Sequence, residues 1–373
     1  MRAVAPEGDG ARDVLRAVRR AVEGAGPAVL LGATESVEVP AGTAVVVTTS
    51  GSTGYPKQVV LSRNALLASA FSTAARVGEG AWLLALPATY VAGLQVLVRA
   101  LMAGHEPAIL SGRFSPAGFA AAARGMASSD GGTRIPTLTS LVPAQLTRIV
   151  EAAGDPDIAA ALASFDAILV GGQALPQPVA ERAAALGARI VRTYGSTETS
   201  GGCVYDGVPL DGVRMRIDRG EVQLAGPVLA DGYLGEPERT ASVFVTDEGI
   251  RWYRTGDAGR IEDGTLRVTG RIDNVIVSGG VNVSLDRVER VVRALPGLAS
   301  AVVVGVDDAT WGQASVVVVA GGGAPDRIAE IRAAVEAELG APARPSRFVT
   351  LPELPVLVSG KPDRVALRRL LNG

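Results

Sequence analysis

Cysteine and histidine are nearly absent from this chain of 373 residues. The one cysteine, Cys203, excludes an intrachain disulfide framework and a zinc site built from cysteines. The one histidine, His105, excludes a histidine cluster for a metal, and any Ser–His–Asp triad would have to use it. We interpret Cys203 as a small buried side chain and His105 as a solvated turn residue.

Lysine is almost as rare. Of the 36 lysine and arginine residues only Lys57 and Lys361 are lysine. The abundance of Ala, Gly, Arg and Val suggests a GC-rich coding sequence, which replaces lysine by arginine wherever either residue serves. A lysine that remains is therefore a candidate for a function that requires a compact ammonium on a flexible stem.

A strong net charge and long apolar runs are also missing. The net charge is −2, which does not favour nucleic acid or an anionic membrane as a partner. The longest uncharged stretch, residues 81–98, contains Pro87 and Gly93 and is short for a membrane span. Hydrophobic residues nevertheless make up 47% of the chain, enough for a large core. We expect a soluble, cytoplasmic protein.

Over the first 200 residues, apolar runs typical of buried strands alternate with helical periodicity. This alternation predicts a layered α/β domain. The predicted strands are 44–48, 82–86, 108–110, 167–170 and 189–193, and the predicted helices are 63–76, 93–103, 115–127, 143–153 and 176–186.

The pattern changes twice after residue 207. Short alternating segments between Gly- and Asp-rich turns predict a small antiparallel β subdomain over about 207–270. Residues 274–373 then follow a βαββαβ pattern with Ser284 as a helix cap, typical of a small α+β domain. We predict an α/β fold with a large N-terminal domain (1–270), a hinge at about 271–273 and a small mobile C-terminal domain (274–373).

The sharpest chemical signal is a run of hydroxyl residues and glycines that ends in a lysine. It follows an apolar strand, and we expect a helix after it. Its backbone N–H groups, hydroxyls and ammonium would suit a pyrophosphate. It is not a Walker A loop, because a proline precedes the lysine and a glutamine follows it. The alternative is a flexible Ser/Gly linker. The run is Thr48-Thr49-Ser50-Gly51-Ser52-Thr53-Gly54-Tyr55-Pro56-Lys57.

A second polar run, Tyr194 to Gly202, follows a predicted strand at its carboxyl end, where α/β sheets place ligands. Tyr194 is a candidate for stacking on a base, and Thr197 is a candidate for binding a phosphate oxygen. Glu198 is a candidate ligand of a hard cation such as Mg²⁺. The alternative is an ordinary polar turn.

Two other segments place charged residues beside glycine. Asp257 ends the run Tyr-Arg-Thr-Gly-Asp and is a candidate acceptor for sugar hydroxyls, while Arg271 would contact a ribose or a phosphate. The alternative is two β-turns with a surface ion pair. Lys361 lies in a Ser-Gly-Lys-Pro loop, which a mobile last domain would be able to bring to a site between domains. The alternative is an exposed surface lysine.

These motifs, in this order over residues 44–364, resemble the adenylate-forming superfamily of acyl-CoA synthetases, adenylation domains and luciferases. Within it the sequence most resembles the 2-succinylbenzoate–CoA ligases of menaquinone synthesis, in a short actinobacterial form. The stretches 139–146, 169–176 and 199–203 carry that closer resemblance. The chain departs from the family in its short N-terminal region and at Tyr90, where many relatives carry histidine.

The resemblance implies two half-reactions. A carboxylate attacks the α-phosphate of MgATP to give an acyl-adenylate and pyrophosphate, and the thiol of coenzyme A then displaces AMP. Lys361 would bridge the carboxylate and the α-phosphate, Thr197 would position that phosphate, and Glu198 would hold Mg²⁺. The residues implied for the nucleotide are Thr49, Ser50, Gly51, Ser52, Thr53, Gly54, Lys57, Gly172, Gln173, Tyr194, Gly195, Asp257 and Arg271.

The resemblance also implies residues for the other substrates. Tyr90, Thr199, Ser200 and Gly201 would line the acyl site, Asp273 would be the hinge, and the Gly279–Gly280 face would serve the coenzyme A step. An arginine is expected to meet the second carboxylate of 2-succinylbenzoate, but the sequence does not say which one.

Three alternatives and the oligomeric state stay open. The first is an aryl- or acyl-CoA ligase for another acid. The second is a stand-alone adenylation enzyme that loads a carrier protein. The third is a non-catalytic nucleotide-binding protein. The choice between monomer and homodimer is also open.

Overall fold

The computed structural model describes residues 1–8, 10–50, 56–321, 327–357 and 361–372. Its helices are α1 (Ala11–Glu23), α2 (Arg63–Val77), α3 (Val91–Met102), α4 (Pro116–Arg124), α5 (Pro143–Glu151), α6 (Pro156–Ser164), α7 (Gln177–Ala185), α8 (Pro237–Val243), α9 (Leu285–Ala294), α10 (Ile328–Leu339) and α11 (Arg364–Asn372).

The strands fall into a longer N-terminal series and a shorter C-terminal one. The N-terminal series is β1 (Arg2–Val4), β2 (Ala28–Leu31), β3 (Val37–Glu38), β4 (Thr43–Ser50), β5 (Pro56–Ser62), β6 (Ala81–Leu84), β7 (Ala108–Ile109), β8 (Ser129–Asp130), β9 (Thr133–Arg134), β10 (Thr137–Leu141), β11 (Ala167–Gly171), β12 (Ile190–Ser196), β13 (Gly201–Tyr205), β14 (Val208–Pro209), β15 (Arg214–Asp218), β16 (Glu221–Ala225), β17 (Gly232–Tyr233), β18 (Phe244–Asp247), β19 (Ile250–Glu262) and β20 (Thr265–Arg271). The C-terminal series is β21 (Val275–Ser278), β22 (Val281–Ser284), β23 (Val302–Asp308), β24 (Gly312–Ala320) and β25 (Arg347–Leu351).

Two sheets of the N-terminal part share a layer of helices. The first has the order β17-β5-β4-β2-β1-β3, and the second has the order β14-β13-β12-β11-β10-β6-β7. Successive residues of the second sheet face opposite sides, as the period of a strand requires. Trp82 and Leu84 therefore pack with α1–α3 against the first sheet, whereas Leu83 packs with α4–α7 on the far side. This is the predicted layered α/β arrangement.

The region 207–270 contains an antiparallel sheet, in the order β15-β16-β19-β18 with β20 beside β19. Two short strands of that region pair elsewhere, since β14 joins β13 and β17 joins β5. The C-terminal strands form a separate sheet, β22-β21-β24-β23 with β25 beside β24. Its two faces are covered by α9 and α10 on one side and by α11 on the other. Ser284 caps α9, as predicted.

The strand predicted before the phosphate loop and the helix predicted at 63–76 are both present, but the sequence analysis missed a strand between the loop and that helix. The loop connects β4 to an antiparallel strand, β5, in which Lys57 pairs with Thr49, and α2 begins only at Arg63. A strand forms because the three aliphatic residues Val59–Leu61 are buried between β4 and β17. A helix N-terminus therefore does not follow the loop directly.

Within the described residues, no helix combines the length and the apolarity that crossing a membrane would require.

Candidate active site

The candidate site lies at the carboxyl ends of the parallel strands β11 and β12. Gly171 pairs with Thr193 across these strands, so Gly172 and Tyr194 are neighbours at the edge of the sheet. This is the edge where open α/β sheets bind ligands. Gln173 follows Gly172, and Gly195 lies at a register shift in the pairing of β12 with β13.

Tyr194 is joined to Asp257, and through it to Arg271, in the antiparallel sheet of region 207–270. Its hydroxyl donates a hydrogen bond of 2.6 Å to Asp257 Oδ2, and Arg271 Nη1 lies 3.5 Å from Asp257 Oδ1. Burial raises the pKa of Asp257 despite the opposing effects of Tyr194 and Arg271. Burial and the Asp257 carboxylate raise the pKa of Tyr194. The three predicted nucleotide-binding residues therefore form one cluster, with a half-buried carboxylate at its centre.

A second cluster surrounds Glu198, which is 3% exposed. Lys57 forms an ion pair with its Oε1, and Tyr233 donates a 2.8 Å hydrogen bond to the same oxygen. Tyr233 reaches this position because β17 pairs with β5, with Tyr233 opposite Val59. Burial alone would raise the pKa of Glu198, but the Lys57 ammonium and the two hydrogen bonds lower it. Glu198 is thus held as a carboxylate.

The described residues fit a magnesium ion that is carried by a phosphate ligand. No group of three or more His, Cys, Asp or Glu residues in the described ranges is arranged to hold a metal by itself. Mg²⁺ is commonly bound by one or two carboxylates together with substrate phosphates and water. Glu198 supplies one such hard oxygen ligand. Beside it, Thr197 begins a short 3-10 helix, and its hydroxyl has no hydrogen-bond partner among the described residues.

Lys361 comes from the C-terminal part of the chain and reaches this edge of the sheet. A β-carbon at Gly172 would lie 3.4 Å from Lys361 Cε, so the lysine side chain lies directly against this glycine. Burial around the ammonium lowers the pKa of Lys361, and the carboxylates of Asp257 and Glu198 oppose that effect, although the residue as a whole keeps exposed surface. The structure therefore places Lys361 at the same edge of the sheet as the two carboxylate clusters, without a direct ion pair to either described carboxylate.

The predicted acyl-site residues lie where α3 meets the loop after β12. Tyr90 is the N-cap of α3, and Gly201 lies against Gln95 in the second turn of that helix. Thr199 and Ser200 have no exposed surface. Their hydroxyls donate to the carbonyl oxygens of Gly201 (2.7 Å) and Val228 (2.9 Å). This geometry gives both side chains a role in holding the loop rather than in touching a ligand.

Arg99 is a buried arginine that the sequence could not distinguish from the others. It is 7% exposed and forms no ion pair with any described carboxylate. Its Nη2 donates to the Tyr205 hydroxyl at 3.3 Å, its guanidinium lies over the Trp82 ring, and its Nε has no described partner. A buried charge without a counter-charge is costly. The Tyr205 ring in turn packs against Gly202, so Arg99 lies one side chain away from the acyl-site loop.

The remaining predicted residues are placed as follows. Asp273 accepts two hydrogen bonds of 2.9 Å from Arg271. Gly279 and Gly280 form the exposed turn between β21 and β22, where Trp311 packs against Gly279. Thr49 donates to the Lys57 carbonyl at 3.4 Å, and Ser50 ends β4. Gly51, Ser52, Thr53 and Gly54 lie outside the described residues.

Cys203 is fully buried, as the sequence analysis predicted. Burial raises the pKa of its thiol to about 12. A thiol in this state is inert as a nucleophile. The site therefore contains no reactive cysteine.

Comparison with known proteins identifies related chains. A family model described as AMP-binding enzyme matches residues 9–234, and one described as AMP-binding enzyme C-terminal domain matches residues 287–361. A probable 2-succinylbenzoate–CoA ligase of Mycobacterium tuberculosis is 40% identical over 99% of this chain and 97% of its own length. The 2-succinylbenzoate–CoA ligase of Escherichia coli is 32% identical over 86% of this chain and 67% of its own length.

A solved structure shows the same fold. It is the o-succinylbenzoate CoA synthetase of Bacillus subtilis in complex with its acyl-adenylate intermediate. The match has a TM-score of 0.72 with 27% identity and covers 90% of this chain and 72% of that one.

Proposed function

Because the chain belongs to the AMP-binding enzyme family, we propose that it activates 2-succinylbenzoate as an acyl-adenylate and transfers the acyl group to coenzyme A. The observation that carries this proposal is the position of Lys361 against Gly172, at the sheet edge that also carries the clusters around Asp257 and Glu198. An ammonium at that place would suit a reaction that joins two anions. The probable 2-succinylbenzoate–CoA ligase of Mycobacterium tuberculosis, which matches this chain over 97% of its own length, supports 2-succinylbenzoate as the acid.

The cluster around Asp257 is suited to a nucleoside. Asp257 would accept hydrogen bonds from the ribose hydroxyls, and Tyr194 fixes one of its oxygens. Arg271 opposes the rise in the pKa of that carboxylate that burial causes. Gly172, Gln173 and Tyr194 would form the adenine pocket at the edge of the sheet. Gly195 and the residues 49–54 would complete the nucleotide site.

The first half-reaction requires that charge be neutralised at the α-phosphate. Lys361 would bridge the attacking carboxylate oxygen and a phosphate oxygen, and Thr197 would orient the phosphate with its hydroxyl. Positioned cations of this kind stabilise charge that develops in a transition state. Glu198 would hold Mg²⁺, which neutralises phosphate charge when it is bound. Lys57, which pairs with Glu198 in this structure, would move to the outer phosphates.

Arg99 is our candidate for recognising the second carboxylate of the acid. It carries a buried positive charge that forms no ion pair with a described carboxylate, and Tyr205 connects it to Gly202. A substrate carboxylate would supply the missing counter-charge, directly or through a water. Tyr90 and Gly201 would line the remainder of the acyl site, with Thr199 and Ser200 holding the loop in place.

The second half-reaction would use a different arrangement of the two parts of the chain. Rotation about a hinge at Asp273 would withdraw Lys361 and present the turn with Gly279 and Gly280 to the thioester step. We place the N-terminal domain before residue 271 and the C-terminal domain after residue 273.

The proposed activity is tested by pyrophosphate release from MgATP with 2-succinylbenzoate, benzoate, 4-hydroxybenzoate and a medium-chain fatty acid. We expect the highest kcat/KM with 2-succinylbenzoate, because only this acid of the four offers a second carboxylate to Arg99. We also expect an acyl-CoA product only when coenzyme A is added, which mass spectrometry of the product detects.

Other outcomes would select the alternatives. A higher kcat/KM with another acid would keep the chemistry and reject the substrate. Acyl transfer to a phosphopantetheine carrier protein but not to coenzyme A would indicate an adenylation enzyme. ATP binding without pyrophosphate release would contradict the proposed activity and favour a non-catalytic nucleotide-binding protein.

A further inference from the structure

Helix α9 of the C-terminal part presents two different faces to its surroundings. Leu285, Val288 and Val292 point into the core of the C-terminal sheet. Asp286 and Arg290 lie four residues apart and therefore share another face of the helix. That face is turned toward β20, the last strand of the antiparallel sheet in region 207–270.

Side chains of α9 satisfy backbone groups of β20. Among the described strands, β20 pairs with β19 alone, so the N–H and carbonyl groups of its other edge need partners outside the sheet, as the Leu266 N–H finds in the Gly207 carbonyl. Asp286 Oδ2 accepts a 2.7 Å hydrogen bond from the Arg271 backbone N–H. Arg290 Nη2 donates to the carbonyl oxygens of Thr269 (3.0 Å) and Val268 (3.3 Å). Asp286 Oδ1 also accepts from the Asn274 side chain at 2.8 Å.

Gly270 allows the helix to approach the strand this closely. A β-carbon there would lie 2.8 Å from Asp286 Cβ and 3.2 Å from Ser284 Oγ. Any side chain at position 270 would therefore push the first turn of α9 away from β20. The contact joins the strand before the proposed hinge to the helix after it.

The inward side of α9 is connected to the segment that carries Lys361. Glu289 is buried, and its Oε2 accepts a 2.7 Å hydrogen bond from Arg364 Nη2, three residues after Lys361. The same carboxylate accepts from the backbone N–H of Val303 at 2.8 Å. Helix α9 thus links the position of the Lys361 loop to the edge of β20.

We propose that Asp286 and Arg290 are positioning residues that dock the C-terminal part on β20 and thereby hold Lys361 at the adenylation site. This inference rests on the proposed function, because it assigns the contact to the first half-reaction. The thioester step does not use Lys361 at that place, so it does not depend on the docked arrangement.

The first test is the variant Arg290→Gln, measured separately in the two half-reactions. We expect adenylate formation to fall by about three- to tenfold, since charge-assisted hydrogen bonds are lost. KM for ATP should stay near that of the unchanged protein, because no contact to the nucleotide site is removed. Thioester formation from supplied acyl-adenylate and coenzyme A should not fall. The matched control is Arg287→Gln, because Arg287 is exposed on the same helix and its side chain forms no hydrogen bond with a described residue.

Unchanged adenylate formation in Arg290→Gln would overturn the proposal. An equal loss in both half-reactions would also overturn it, because that pattern indicates general damage to the protein.

The second test needs no substrate and so remains informative if the proposed function fails. Dyes attached through Ala75→Cys on α2 and Ala337→Cys on α10 report the distance between the two parts, and both positions are exposed. Cys203 will not react, since it is fully buried and its pKa is raised. We expect one narrow distance distribution, which broadens when Asp286→Ala and Arg290→Gln are combined. A distribution that is already broad, or one that the two substitutions leave unchanged, would refute the docking role.

Discussion

Replacing Lys361 by alanine should lower the rate of acyl-adenylate formation by about 10²- to 10³-fold, the effect typical of losing one electrostatic group from a transition state. The lysine lies against Gly172, at the sheet edge that carries both clusters, and the carboxylates of Asp257 and Glu198 act on its ammonium. Pyrophosphate release in a single turnover measures this step. Thioester formation from supplied acyl-adenylate should be retained, because in our proposal Lys361 is withdrawn during that step.

Two companion variants sharpen this test. Lys361→Arg keeps the charge but replaces a compact ammonium by a planar guanidinium, so we expect it to recover only part of the rate. Arg368→Ala removes a charge from the exposed surface of α11 and should leave both steps unchanged. An equal loss of both half-reactions in Lys361→Ala would contradict the assigned role.

Replacing Arg99 by methionine should change activity and stability in opposite directions. We expect KM for 2-succinylbenzoate to rise by about 10- to 150-fold, since a hydrogen bond to a charged group contributes roughly 1.5–3 kcal/mol. We expect the free protein to become more stable, because methionine fills similar space without a buried charge that lacks a counter-charge. Steady-state kinetics and thermal unfolding measure the two effects.

Because activity should fall while stability rises, the two measurements distinguish loss of substrate recognition from structural damage. A variant that loses both activity and thermal stability would contradict the assignment, since Arg99 would then be a structural residue. Arg182→Met on the exposed face of α7 is the matched control, and it should change neither quantity.

The candidate nucleotide motifs are visible in the sequence because each is contiguous in the chain, and their role in binding a nucleotide stays a prediction. The run that begins at Tyr194 was placed at the carboxyl end of a strand, and the structure puts it at the end of β12. The hydrogen bond from Tyr194 to Asp257 joins residues that are 63 positions apart. Local pattern alone does not specify such a partner.

The features that the sequence did not predict depend on long-range packing. Strand β5 was missed because its short apolar run becomes recognisable only when β4 and β17 pair with it. That pairing also brings Tyr233 to Glu198, a contact to which no local motif points. Nothing in the sequence distinguishes Arg99 from the other arginines. Only its burial between α3 and β13 in the folded protein does so.

The resemblance to the adenylate-forming superfamily is confirmed by the family membership of the chain. The predicted layered fold is likewise confirmed. The roles of single residues stay predictions, since they depend on ligands that approach from outside the fold. The contacts of Asp257 and Glu198, and the position of Lys361 against Gly172, show which of the proposed roles the geometry permits.

The central claim is that a substrate carboxylate attacks the α-phosphate in the site that Lys361 completes. The most direct test supplies 2-succinylbenzoate labelled with ¹⁸O in its carboxylates, together with MgATP and coenzyme A, and examines the products by mass spectrometry. When the carboxylate oxygen bonds to phosphorus and pyrophosphate leaves, the later attack by the thiol breaks the carbon–oxygen bond. The account therefore predicts AMP that carries one ¹⁸O atom for each thioester formed. Thioester formation with unlabelled AMP, or with ADP and labelled phosphate, would contradict it.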